Sequence, residues 1–213
     1  RRVMERLAAQ GVHNLNLVTP THFVPQIIRA LQSAKDQGMY LPVVYNTGGY
    51  ERVETLKMLD GLVDIYLPDF KYLNTDHAKK YSMAEDYPEV AKAALAEMVR
   101  QAGKPAFDER GMMKRGVIVR HLLLPGCLAD GKRVVKYLYE TYGNRIYMSL
   151  MSQYTPLASL DSEKYPELNR KVPEYAYEKL VDYAISLGVT QAFVQEGDTA
   201  KESFIPPFTL EGV

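Results

Sequence analysis

Residues 63–72 read VDIYLPDFKY, and this stretch decides how the chain is read. Val63, Ile65, Tyr66 and Leu67 make the apolar run of a buried strand, yet the run ends on Pro68, Asp69, Phe70 and Lys71. Residues two apart in extended backbone share a side, so Asp69 and Lys71 face one way. Two explanations stand for a carboxylate and an ammonium delivered together to a strand tip. One is a solvated ion pair of small energetic worth; the other is a grip on a ligand of mixed charge.

Outward from this stretch, one order recurs: helix, glycine stop, apolar strand, polar loop. Residues 1–10 lead through Gly11 into VHNLNLV, and the amphipathic segment 22–37 stops at Gly38 before YLPVVYN. Residues 52–59 precede Gly61 and LVDIYLP, and residues 86–102 lead through a turn-rich region to GVIVRHLLLPG. Residues 130–142 stop at Gly143 before RIYMSLM, and residues 173–187 stop at Gly188 before VTQAFVQ. Strands apolar on both faces, alternating with helices, predict a parallel sheet covered by helices. The fold class is α/β, and a doubly wound sheet or a full or partial β/α barrel both fit. Residues 74–115 form a long insertion with its own helix and the basic turn RGMMKRG, and the whole chain, 1–213, is expected to be a single domain. The tail FIPPFTLEGV is expected to lie ordered over a surface.

Composition narrows the function classes. The chain has 213 residues, with 26 Lys and Arg against 26 Asp and Glu, a balance that gives no reason to expect a nucleic acid or an anionic membrane as partner. No segment approaches the ~20 apolar residues that span a bilayer, and no leader peptide is visible. The single cysteine, Cys127, reads as a loop thiol of a reducing cytosol, and the expected location is cytoplasmic. No HExxH, GxGxxG or GxSxG occurs.

In open parallel sheets and β/α barrels, ligands bind at the carboxyl ends of the strands. Those ends are VTPTH at 18–22, YNTGG at 45–49, LPDFK at 67–71, VRHLLLPG at 119–126, MSQYTP at 151–156 and VQEGD at 194–198. Oxygens of Asn46, Thr47 and Asp69 suit a hard cation or a hydroxyl-bearing ligand, and Lys71 suits a carboxylate or phosphate. Arg120 stands inside VIVRHLLL, where a guanidinium must meet an anion, an internal partner or water. His121 faces the other way and reads as a packed, hydrogen-bonded histidine. Tyr137, Tyr139 and Tyr142 sit at helix spacing and read as core.

The segments NLNLVTPTHFVPQI, VVYNTGGYE, VDIYLPDFKY, GVIVRHLLLPG, MSLMSQYTP and FVQEG, in this order, resemble the radical S-adenosylmethionine superfamily. Within it the similarity is to the group of pyruvate formate-lyase activating enzyme. The resemblance implies a partial (β/α)6-type barrel with S-adenosylmethionine across the strand ends. The ligand chelates a four-iron, four-sulfur cluster and is cleaved reductively to a deoxyadenosyl radical, an oxidoreductase chemistry. Carried over by position, Thr19, Pro20 and Thr21 take the place that holds the ligand's amino group. Asn46 and Thr47 fall near its carboxylate and, with Asp69, near a bound monovalent cation. Lys71 falls at the carboxylate, Arg120 near the ribose and carboxylate, and Tyr154 at the adenine. The implied partners are a glycyl-radical enzyme or other protein substrate and an electron donor.

Two departures follow. TPT lacks the Gly-Gly-Glu carboxylate of the group, and the three-cysteine CxxxCxxC loop is absent. The chain is therefore expected to be a fragment without the first strand and cluster loop, holding no cluster and generating no radical. The strand HNLNLV is then an edge that invites self-association. Two other classes remain open at this point: a cluster-independent β/α-barrel lyase or aldolase using Lys71 as a Schiff-base nucleophile, and a non-catalytic ligand-binding domain.

Overall fold

The structure, a computed structural model, describes residues 2–157 and 160–194. The strand end VQEGD beyond Val194, the tail FIPPFTLEGV and Arg1 lie outside the described residues. In chain order the elements are α1 (Arg2–Ala9), β1 (Leu15–Val18), α2 (Val24–Lys35), β2 (Val43–Thr47), α3 (Val53–Lys57), β3 (Ile65–Pro68), α4 (Thr75–Ser82) and α5 (Tyr87–Ala102). Then come β4 (Ala106–Phe107), β5 (Met113–Leu122), α6 (Leu128–Tyr142), β6 (Tyr147–Met151), α7 (Glu174–Leu187) and β7 (Ala192–Val194). Short 3-10 turns precede α2 (Thr21–Phe23), follow α6 (Gly143–Arg145) and precede α7 (Pro166–Asn169). The alternation expected from the sequence is present as a parallel α/β sheet, and its chain falls into two compact units.

The first unit takes its described residues from 2–69 and 89–119. Its strand order is β1-β2-β3-β5, all parallel, with β4 antiparallel on β5. Val18 is in register with Asn46, and Thr47 with Pro68. Asp64 ties three strands together at their starts: its carboxylate accepts the Val43 N–H at 2.8 Å and its carbonyl the Gly116 N–H at 3.1 Å. Strands β2 and β3 are buried on both faces, as their unbroken apolar runs require. Ala91, Ala94, Leu95, Met98, Val99 and Ala102 make one buried stripe of α5 at helical spacing. Glu97 and Gln101 are buried on the same helix and are satisfied there. Gln101 accepts from the Tyr66 hydroxyl and donates to Leu56 O and Glu97, while Arg100 holds Glu97 at 2.8 Å.

The second unit comprises 70–88 and 120–207, described to residue 194 apart from residues 158 and 159. Strand β5 runs on into it, and the order continues β5-β6-β7, with Met148 to Leu150 in register with Ala192 to Val194. Helices α6 and α7 bury Val134, Val135 and Leu138 and, on the other, Ala176, Tyr177, Leu180 and Ala184. Gly131 lets α6 lie close to β5, since a Cβ there would stand 3.1 Å from both His121 Nε2 and Leu123 Cδ1. Tyr142 is buried as expected, while Tyr137 and Tyr139 are half-buried.

Two elements went unforeseen in residues 74–115. Helix α4 buries only Ala78, so it carries no apolar stripe; its start is the Asn74 cap, whose side chain accepts the Asp76 N–H at 2.8 Å. Strand β4 is two exposed residues, and the basic segment after it is a hairpin turn. Asp108 closes that turn by accepting the Met112 N–H at 2.9 Å, and Met112 N–H, Lys114 and Arg110 hold its carboxyl down to about 2. The helix expected over residues 22–37 begins as a 3-10 turn, with α proper from Val24 and Pro25 in its first turn.

Candidate functional site

Strand pairing carries the polar residues of the first unit into one row. The Thr19 N–H donates to Asn46 O and the Asp69 N–H to Thr47 O, both at 2.9 Å, so the ends of β1, β2 and β3 lie side by side. Of the expected site residues, Thr19, Pro20, Thr21, Asn46, Thr47 and Asp69 belong to this unit. Pro20 and Thr47 are buried, Thr21, Asn46 and Asp69 half-buried, and Thr19 exposed. Thr19 has φ +49, and a β-branched residue in that left-handed region carries strain of about 1–3 kcal/mol. Strain of this kind persists where the surroundings hold it, and strand-end turns at ligand sites are such places.

Sequence reasoning missed Glu51. After Thr47 the chain turns through Gly48 and Gly49, the latter at φ +80, and the Gly49 N–H points back to Thr47 Oγ1 at 3.3 Å. The turn folds Glu51 inward until it is 3% exposed. One of its oxygens, Oε1, accepts both the Thr47 hydroxyl at 2.5 Å and the Thr21 hydroxyl at 2.6 Å. The other, Oε2, is buried, and the buried Tyr45 hydroxyl interacts with Glu51 and with Thr21. Burial pushes the Tyr45 phenol well above its ordinary value, and the Glu51 charge adds to that push. The local signal was a carboxylate just past a Thr-Gly-Gly turn; the deciding partner, Thr21, lies thirty positions away.

In the second unit, Phe70 is fixed at both ends of its peptide. Its N–H donates to Arg120 O at 2.8 Å, and its carbonyl accepts from His121 Nδ1 at 2.8 Å, which places the ring proton on Nδ1. Phe70 and Tyr72 are buried at 1% and 6%, while Lys71 is exposed. The Lys71 N–H donates to the Tyr87 hydroxyl at 3.0 Å. Arg120 is half-buried. Tyr154 donates its hydroxyl to Leu168 O at 2.8 Å, and burial raises its phenol.

A four-iron, four-sulfur cluster with one open iron needs three thiolates. This chain has one cysteine, and burial pushes the Cys127 thiol up to about 11. Among the described residues no three His, Cys, Asp or Glu side chains are grouped to hold a metal. The residues present do not fit a cluster. They do fit the polar part of a small organic ligand, since the first unit presents oxygen acceptors at adjacent strand ends with a buried carboxylate behind them. Among the described residues no helix is long and apolar enough to cross a membrane.

Comparison with known proteins agrees with this architecture. No family model matches the chain. A domain of pyruvate-formate lyase-activating enzyme from Bacteroides vulgatus superposes with a TM-score of 0.57 at 15% identity, over 87% of this chain and 100% of that one. The fold is radical-SAM-like. A radical SAM methyltransferase from Sphaerobacter thermophilus shares it with a TM-score of 0.55 and 15% identity, over 90% of this chain and 54% of the other. By sequence, the uncharacterized protein MJ0674 of Methanocaldococcus jannaschii is 27% identical over 174 residues, 80% of this chain. The match spans 46% of that relative's length, so the chain corresponds to about half of it. The radical-SAM-like fold is thus carried by an α/β sheet whose strand ends hold Thr19, Asn46, Thr47 and Asp69 in one row.

Proposed function

We propose that this chain is the S-adenosylmethionine-binding part of a radical S-adenosylmethionine enzyme related to pyruvate formate-lyase activating enzyme. One observation carries the reading: on a fold shared with two radical SAM proteins, three adjacent strand ends align Thr19, Asn46, Thr47 and Asp69, and the turn beside them buries a carboxylate. In this reading Thr19, Pro20 and Thr21 meet the ligand's amino group, and Asn46, Thr47 and Asp69 serve its carboxylate through a monovalent cation. Lys71 takes the carboxylate, Arg120 the ribose and carboxylate, and Tyr154 the adenine; these three roles rest on the sequence resemblance. The cluster that supplies the electron in such enzymes needs three thiolates, and these 213 residues contain one cysteine. A glycyl-radical enzyme or other protein substrate and an electron donor go with the reading as partners. Self-association goes with β1, which pairs with β2 alone among the described residues. The aldolase reading is weaker, because a Schiff-base lysine is activated by desolvation and Lys71 is exposed.

Calorimetric titration of the chain with S-adenosylmethionine tests the proposal. Binding is expected, weakened about tenfold or more by Asp69→Ala and by Lys71→Ala, since a lost charge-assisted contact costs about 1.5–3 kcal/mol. Equal affinity in the wild type and both variants removes the reading.

A further inference from the structure

We infer that the amino ends of β2, β3 and β5 carry a binding site for an α-amino acid with an aromatic side chain. It lies at the opposite end of the strands from the row Asn46, Thr47 and Asp69. A cavity of about 440 Å³ opens there in the first unit, and small-molecule sites run to about 300–1,000 Å³. Its apolar wall is Met39, Tyr40, Leu41 and Pro42, the segment that joins Gly38 to β2. Its charged groups are Lys35 in the last turn of α2, Asp64 just ahead of β3 and Lys114 near the start of β5. In β/α folds this face serves stability and the other face serves catalysis, so charges gathered in a cavity here need an account of their own.

Lys114 is already matched, since it stands 3.2 Å from Asp108, which Arg110 also reaches at 3.3 Å. Lys35 and Asp64 are not matched. Lys35 Nζ donates to Gly61 O at 2.8 Å, a neutral acceptor, and forms no ion pair among the described residues. Asp64 Oδ2 accepts the Val43 N–H at 2.8 Å, and Asp64 too forms no ion pair among the described residues. These bonds fix the two half-buried charges on one cavity without letting them meet. A fixed cation and a fixed anion held apart suit a zwitterion, its carboxylate on Lys35 and its ammonium on Asp64, and groups already in place cost little to order. A phosphate would be repelled by Asp64 and a simple cation by Lys35. Tyr40 supplies the third contact: it is 93% exposed, so its ring offers an apolar surface that a second ring can cover. Met39, Tyr40 and Leu41 also line a cavity of about 450 Å³ whose described lining carries no charge, which leaves room for the apolar end of the ligand.

Titration followed by nuclear magnetic resonance tests this with three probes: L-phenylalanine, 3-phenylpropionate, which lacks the ammonium, and phenethylamine, which lacks the carboxylate. Wild type is expected to bind L-phenylalanine about fivefold or more tighter than either analogue. Lys35→Met keeps the apolar stem and removes the charge, so it should weaken L-phenylalanine and 3-phenylpropionate by a similar factor and spare phenethylamine. Asp64→Asn keeps an acceptor for the Val43 N–H, and it should weaken L-phenylalanine and phenethylamine and spare 3-phenylpropionate. Tyr40→Ala, at a position too exposed to disturb the fold, should weaken all three and leave S-adenosylmethionine binding unchanged. If Asp64→Asn folds poorly, the Lys35→Met and Tyr40→Ala patterns decide. No binding of L-phenylalanine by wild type overturns the inference, and so does a loss in Lys35→Met that is equal for all three probes, or no loss at all. Neither result touches the proposed function, which is read from S-adenosylmethionine alone.

Discussion

The two units treat their buried carboxylates differently. Asp130 in the second unit is 4% exposed: its Oδ2 accepts the Leu73 N–H at 3.2 Å and stands 3.5 Å from His77, while its Oδ1 makes no hydrogen bond among the described residues and faces the Arg133 guanidinium at 3.7 Å. Glu51 in the first unit is 3% exposed; its Oε1 accepts two hydroxyls, and the buried Tyr45 hydroxyl interacts with it as well. The second unit uses its polar groups as internal fasteners: Tyr154 on Leu168 O, Tyr177 on Leu150 O, His121 on Phe70 O, Tyr81 and Lys80 on Glu167. The first unit holds Glu51 with hydroxyls, those of Thr21 and Thr47, just past the end of β2. Equal burial therefore comes with different company: a backbone N–H and two basic side chains around Asp130, hydroxyls around Glu51.

The sharpest way to break this contrast is to truncate both carboxylates. Asp130→Ala is expected to cost about 3 kcal/mol, since it strands the Leu73 N–H and removes the charge that faces His77 and Arg133. Glu51→Ala is expected to cost less, about 1 kcal/mol, because the bonds lost are those of neutral hydroxyls and no basic side chain loses its counter-charge. Urea denaturation of the two variants decides; an equal or reversed order would undo the contrast. Next in size is Gly131→Ala, whose new methyl group would press on His121 and Leu123, with an expected loss of about 1–3 kcal/mol. Thr19→Gly works in the opposite direction: relieving φ +49 is expected to raise stability by about 1 kcal/mol while weakening ligand binding, measured by melting and titration.

The smallest effects come from pH. Arg100 and Gln101 hold Glu97 down to about 2, and Lys80 and Tyr81 do the same for Glu167, each against an ordinary value of 4.5. Below 4.5 the unfolded chain takes up protons that these folded carboxylates refuse, so their stabilisation is full above that value and fades as pH falls toward about 2. Glu97→Gln and Glu167→Gln should each flatten the dependence of the urea midpoint on pH in this window, one variant reporting on each unit. A slope unchanged by either substitution would contradict the assignment.

Much of the fold was legible because it is written in short periods. The apolar runs at 43–47 and 65–68 and the α5 stripe repeat at strand or helix spacing, and the glycines after α1, α2, α5, α6 and α7 mark boundaries. Helix α4 was illegible for the opposite reason: with only Ala78 buried, its cap was the whole signal. Of the site, the row Thr19, Asn46, Thr47 and Asp69 follows from strand ends alone, since parallel register brings the ends of neighbouring strands together. Glu51 could not be read that way. Its burial is produced by the Thr-Gly-Gly turn and its role by Thr21, a pairing across separate elements that no local pattern announces.

The lone thiol has a practical consequence. Cys127 is buried at the start of α6, held largely as the unreactive protonated form by an ionisation near 11, and no other cysteine in the chain competes with it. A labelling reagent supplied in excess would therefore tick at the pace of excursions that expose that one helix end, giving a clock for the opening of the second unit with no background to subtract.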